Sequence, residues 1–99
     1  MRLTPQEQRI IVTTVSAIFG EDSAVWLFGS RCDDNKHGGD VDLYIETPPT
    51  ESPFLKRMRL RIALTEQLGE QKIDVVTHQR QLPEKAIHRV AKSTGIRLH

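Results

Sequence analysis

The sequence predicts a small α/β domain of the α+β kind, a mixed β-sheet flanked by helices, in the order α-β-α-β-α-β-α. Three observations predict it. Apolar residues recur at helical spacing in stretches near the start, the middle and the end of the chain. Short apolar or alternating runs between them read as strands, and the second and third are separated by a helix-length segment, which is the βαβ signature of parallel pairing with a right-handed connection. A chain of 99 residues holds one core, so the whole of 1–99 is expected to be a single domain.

The first helix is expected over about 5–19. Thr4-Pro5-Gln6-Glu7 is a capping box with proline at the first helical position, Ile11, Val15 and Ile18 follow at helical spacing beside Phe19, and Gly20 is a stop. Ala24-Val25-Trp26-Leu27-Phe28 is a buried strand ending at Gly29, with Trp26 assigned to the core. Residues 31–39 form a polar loop, in which the second α of the order is no more than an opening helical turn. Asp40 to Ile45 alternates at its start and reads as the second strand, with no full crossover helix before it, so it should pair antiparallel with the first.

Ser52-Pro53 offers an N-cap and an N1 proline to a helix reaching Leu68 and Gly69. Its apolar set reads as Phe54, Leu55, Met58, Ile62, Leu64 and Leu68, with Arg57 and Arg61 inside the arc. Lys72 to Thr77 is the third strand. Pro83 opens a last helix with Ile87, Val90 and Ala91 on one face, ending near Gly95, and Ile96-Arg97-Leu98 is a short fourth strand or a docked tail.

Composition excludes several classes. No run of 18 apolar residues exists, so no membrane span is expected. A net charge of +1 gives no reason to expect nucleic acid as a partner. A single cysteine, Cys32, rules out an internal disulfide and fits a reducing, cytoplasmic setting, and the polar opening residues predict no signal peptide.

The chemistry concentrates in Leu27-Phe28-Gly29-Ser30-Arg31 and Asp40-Val41-Asp42. Residues two apart on a strand face one way, roughly 6.6 Å apart, so Asp40 and Asp42 can bracket a divalent ion. Asp74, flanked by Ile73 and Val75, points away from their face and starts the third strand at the same sheet edge. Three carboxylates supply the hard oxygens that Mg²⁺ prefers. Gly29 lets a triphosphate approach the backbone, Ser30 offers a hydroxyl and an amide, and Arg31 adds a fixed bidentate charge. Phosphate donors and metal ligands meeting from three segments suit phosphoryl or nucleotidyl transfer, where catalysis is mostly positioning and charge neutralisation.

Phe28-Gly29-Ser30, nine residues, then Asp40-Val41-Asp42-Leu43 resembles the signature of the DNA polymerase β-like nucleotidyltransferase superfamily, and Asp74 in Ile73-Asp74-Val75-Val76 looks like its third acidic residue. The resemblance covers roughly residues 5–94. It implies the nucleotidyltransferase fold, with Asp40, Asp42 and Asp74 as catalytic metal ligands, Gly29, Ser30 and Arg31 as nucleotide-binding residues, Mg²⁺ as cofactor and an NTP, ATP first, as co-substrate. With no second domain the chain is similar to the minimal nucleotidyltransferases, the MNT subgroup, which are often encoded beside a HEPN-domain toxin. In several such pairs the MNT protein is the antitoxin and moves AMP from ATP to a tyrosine of the toxin. The resemblance thus implies a HEPN-domain protein as partner and leaves a hetero-oligomer with it, or a homodimer, open. A small-molecule transferase of the aminoglycoside-modifying type and an antitoxin that masks its partner without catalysis are the alternatives.

Other features read more simply. An EF-hand starting at Asp33 fails because Tyr44 stands where its glutamate is needed. Cys32 and His37 read as loop residues, and His78 and His88 as surface groups. Tyr44 either stacks on a base or packs. Lys56, Arg57, Arg59 and Arg61 form a basic cluster that reads as a solvated face, a protein-docking face or an RNA-binding face.

Overall fold

The computed structural model describes residues 3–29, 40–69 and 72–99. Helix α1 spans Pro5–Phe19, strand β1 Ala24–Phe28, strand β2 Asp40–Thr47, helix α2 Pro53–Leu68, strand β3 Lys72–Gln79, helix α3 Ala86–Thr94 and strand β4 Ile96–Arg97. The four strands form one sheet in the order β3-β2-β1-β4. β1 pairs antiparallel with β2 and with β4, and β2 pairs parallel with β3, as the two kinds of connection require. The tail of the chain is therefore a strand, and the sheet is mixed. The helical turn expected within 31–39 lies outside the described residues.

Each face of the sheet carries its own helical layer. Val41, Leu43 and Ile45 of β2, with Val25 and Leu27 of β1 and Ile73 of β3, point toward α1 and α2, where Ile11, Val15, Phe19, Leu60 and Leu64 close the main core. The intervening residues point the other way, and there Trp26, Tyr44 and Ala91 make a smaller cluster under α3. The period of two along β2 thus divides it into a core-facing set and a second set holding Asp42, Tyr44 and Glu46. Trp26 is buried, as the sequence suggests.

The Thr4 amide donates to the Glu7 carboxylate at 2.9 Å while the Glu7 amide donates to Thr4 Oγ1 at 3.1 Å, completing the capping box. Ser52 does not cap α2. It adopts left-handed backbone angles, with φ of 51°, and its side chain makes no cap bond, so Pro53 alone sets the helix start. α3 begins at Ala86 rather than Pro83, and its N-terminal acceptor is a ring: the Lys85 amide donates to His88 Nδ1 at 3.0 Å.

Two apolar faces differ from their sequence reading. In α2 the buried positions are Leu60 and Leu64, while Phe54, Leu55, Met58 and Ile62 are exposed. In α3 Ile87 and Val90 are exposed, and His88 and Ala91 turn inward. The reason is geometric. Each helix rests on the sheet along one side only: in α2 the four exposed residues lie nearly opposite Leu60 and Leu64, and in α3 Ile87 and Val90 each sit about 100° from the buried residue that follows them.

Candidate nucleotidyl-transfer site

The parallel register of β2 and β3 sets Asp40 beside Lys72 and Asp42 beside Asp74. Facing residues of neighbouring strands share a face, and strands lie about 4.8 Å apart, so the Asp42 and Asp74 side chains stand together on the face that carries α3. Both are half-buried. Two carboxylates in register on one face offer the hard oxygen donors that Mg²⁺ takes. Like charges side by side are destabilising by themselves, and a divalent cation between them reverses the sign. The donor set therefore fits such an ion.

On the other side of β2, Phe28 faces Asp42 in the antiparallel register, and the next residue is Gly29. Gly29 has φ of +79°, a conformation that side chains rarely adopt, and a Cβ there would run into the Asp42 carboxylate. The glycine lies directly against the acid. This close approach of backbone to carboxylate is built from the end of β1 and the start of β2. Gly95 plays a supporting part. A Cβ at that position would collide with the Ala91 carbonyl and lie 2.9 Å from the Leu27 carbonyl, so its bareness lets the end of α3 settle on the end of β1.

The structure thus brings Gly29, Asp42 and Asp74 together, and places Asp40 by its backbone at the first position of β2. Ser30 and Arg31 lie outside the described residues, as do Cys32 and His37. Tyr44 packs: it is fully buried, with its ring centroid 5.3 Å from Trp26 and stacked at 5.6 Å on His88.

A second polar cluster lies two residues further along the same face, and the sequence reading missed it. His78 and His88, expected on the surface, are both buried and stack with ring centroids 4.3 Å apart. His78 Nε2 lies 2.8 Å from the Leu82 carbonyl, and its Nδ1 is 3.3 Å from the Tyr44 hydroxyl, which also reaches Glu46 Oε2 at 3.2 Å. Burial raises the tyrosine's pKa first, and the neighbouring Glu46 raises it further. Burial works against ionisation at Glu46, but hydrogen bonds from Lys92 and Arg80 outweigh it and hold the carboxyl below its ordinary range. The signal was available: Tyr44 and Glu46 share the parity of Asp42, and His78 that of Asp74.

Glu46, His78 and Glu84 come close enough together to ligate a metal. A cation already sits among the acids, since Lys92 Nζ is 3.1 Å from Glu46 and 2.7 Å from Glu84. The ammonium neutralises the cluster and ties α3 to β2, so this group reads as a structural ion-pair network.

No helix among the described residues is long and apolar enough to cross a membrane. None of the curated proteins compared with the chain matches it. Residues 14–98 match the family described as Polymerase beta, Nucleotidyltransferase, a span that takes in every strand, α2, α3 and the latter part of α1. That match spans most of the chain, and the chain belongs to the polymerase β nucleotidyltransferase family.

Proposed function

We propose that this chain is a single minimal nucleotidyltransferase domain, 1–99, that transfers a nucleotide, AMP from ATP, to a hydroxyl of a protein acceptor and acts as antitoxin toward a HEPN-domain toxin. The observation that carries the catalytic part is the register that pairs Asp42 with Asp74 beside Gly29. Asp40, Asp42 and Asp74 are assigned as the Mg²⁺ ligands, and Gly29, Ser30 and Arg31 as the seat of the triphosphate. Bound Mg²⁺ would neutralise phosphate charge and polarise the α-phosphorus. Gly29 keeps the backbone open to the phosphates, and Ser30 and Arg31 hold them by hydrogen bond and charge.

Asp74 lies on the strand further from the glycine and is assigned the acceptor side. It takes the proton of the acceptor hydroxyl as that oxygen bonds to the α-phosphorus. The bond from the α-phosphorus to the bridging oxygen breaks, and pyrophosphate leaves. The exposed outer side of α2 next to Asp74 supports a macromolecular acceptor over a small one, because an open surface recognises a partner that brings its own complementary surface. The cytoplasm is the compartment that fits an ATP-dependent reaction and a lone cysteine.

Co-expression with a HEPN-domain toxin encoded beside the gene tests this reading. Intact mass of the toxin should rise by one or more AMP units, and the toxin should stay inactive after this chain is removed. Protection by a variant carrying Asp42→Asn and Asp74→Asn, with toxin of unchanged mass, would instead establish masking by binding.

A further inference from the structure

α2 is apolar on two opposite sides. Its inner side, Leu60 and Leu64, is buried in the core. Its outer side carries Phe54, Leu55, Met58 and Ile62, of which Phe54 is 61 % and Ile62 59 % exposed. At about 100° per residue these four span an arc of only about 100°. They form a continuous ridge rather than scattered apolar residues, and such a ridge marks an interaction surface.

The ridge has two further properties. Leu55, Met58 and Ile62 are spaced three and then four residues apart, the spacing of a helix–helix seam. Arg57 and Arg61 flank it on one side, and Arg59 and Lys56 on the other, with no acidic residue in the helix before Glu66. Arg57 lies over the Phe54 ring, 5.6 Å from its centroid, so the cation is held against the apolar residue. A second copy of this chain seated face to face would set these cations against their own images. A helix with an apolar seam edged by carboxylates is complementary on both counts. Nucleic acid would satisfy the arginines and leave the ridge in water.

The ridge also leads to the site. A cleft of about 400 Å³ between α2 and β3 is lined by Phe54, Arg57, Met58 and Arg61 on the helix and by Asp74 with Val75 and Val76 on the strand. Among the described residues β3 pairs only with β2, so this edge of the sheet is open.

We propose that the outer face of α2 is the docking surface for an acidic amphipathic helix of the protein that receives the nucleotide, and that the hydroxyl of that protein reaches Asp74 around the open edge of β3 that the cleft borders. The proposal rests on the nucleotidyl-transfer reading above for its second half only. Docking itself needs no nucleotide.

The probe is a capped peptide of about 20 residues, leucines at three-four spacing edged by glutamates, with a fluorophore at one end and a tyrosine in the sequence. A control peptide replaces every glutamate with lysine. Fluorescence anisotropy without nucleotide should show the acidic peptide bound at least about tenfold more tightly than the lysine peptide. Leu55→Asp with Ile62→Asp should weaken it at least about tenfold. Arg59→Glu with Arg61→Glu should reverse the preference between the peptides. These residues are exposed, so each variant should keep the wild-type melting temperature and its ATP–Mg²⁺ binding.

Equal binding of the two peptides, or acidic-peptide binding untouched by the ridge variant, overturns the proposal. So does self-association in sedimentation that the ridge variant abolishes, or tight, salt-sensitive binding of a single-stranded RNA oligomer with no peptide binding. ATP and Mg²⁺ added to the bound peptide then separate the two readings by peptide mass. Ridge-dependent docking with no adduct keeps the docking surface and counts against a protein acceptor. An AMP adduct that survives the ridge variant keeps the acceptor and removes the surface.

Discussion

Gly29 lies against the Asp42 carboxylate so closely that even a methyl group could not stand between them. The contact joins the end of β1 to the start of β2, where the antiparallel register sets Phe28 opposite Asp42. The left-handed backbone and the contact act together. Gly29→Ala should cost about 1–2 kcal/mol from the backbone conformation alone, and more from the displaced aspartate. The expected outcome is a lower melting temperature together with lost Mg²⁺-dependent ATP binding. A Gly29→Ala protein that melts and binds like wild type would show that the close approach has no part in either.

Asp42→Asn and Asp74→Asn nearly conserve volume and remove like charges that stand side by side. Relief of that repulsion should let the stability of Asp74→Asn hold or rise. Transfer of labelled nucleotide should fall by at least about a hundredfold for each. The pair of measurements matters, because a substitution that merely unfolds the strand edge would lower both.

Lys92 is the clamp between α3 and the sheet, bonded to Glu46 and Glu84 and 6.0 Å from the centre of the Trp26 ring. Lys92→Met keeps the stem and removes the charge, leaving Arg80, 3.2 Å from Glu46, as that acid's remaining ion pair among the described residues. Its side chain is about a third exposed, so solvent screens part of the loss. Unfolding in denaturant should show a decrease of roughly 1 kcal/mol, with nucleotide binding retained because the aspartate pair is elsewhere on the face.

Burial lowers the pKa of His88 from its ordinary 6.5, and the neighbouring His78 and Lys85 lower it further, against Glu84 and Glu46. Its Nδ1 must be bare to accept the Lys85 amide. The folded state then binds fewer protons than the unfolded chain, so this contribution is fully present above about pH 6.5 and is lost as pH falls through the folded value. Glu46, held below its ordinary 4.5, adds a second loss of stability at more acidic pH. Denaturant midpoints measured across this range should decline from pH 6.5 downward, and His88→Gln should flatten the first part of the decline. A midpoint that rises as the pH drops below 6.5 would falsify the sign.

How much of this was legible in the sequence differs by element. The capping box at Thr4 and the parallel placement of β3 beside β2 follow from local rules, and Asp74 reaches Asp42 because a βαβ connection fixes which strand ends lie together. The faces of α2 and α3 were not legible. Leu60 and Leu64 share a helix with the exposed Phe54, Leu55, Met58 and Ile62, and only the sheet decides which side is inside. His78 and His88 read as surface groups because each lies near the end of its element. Their burial comes from a stack across 10 residues of chain, made when α3 folds back over the sheet. The polar network around Lys92 is likewise a tertiary product, for Glu46 and Lys92 meet only through the fold.

The central claim is that Asp42 and Asp74, with Gly29 beside them, hold a nucleotide through a divalent cation. Calorimetric titration of ATP into the protein with and without Mg²⁺ tests it most directly. A triphosphate brought to these carboxylates without a cation meets like charge in a half-buried site, so binding is expected with Mg²⁺, absent in its presence for Asp42→Asn, and absent for the wild type in EDTA. Equal affinity for ATP with and without Mg²⁺, retained in Asp42→Asn, would contradict the account.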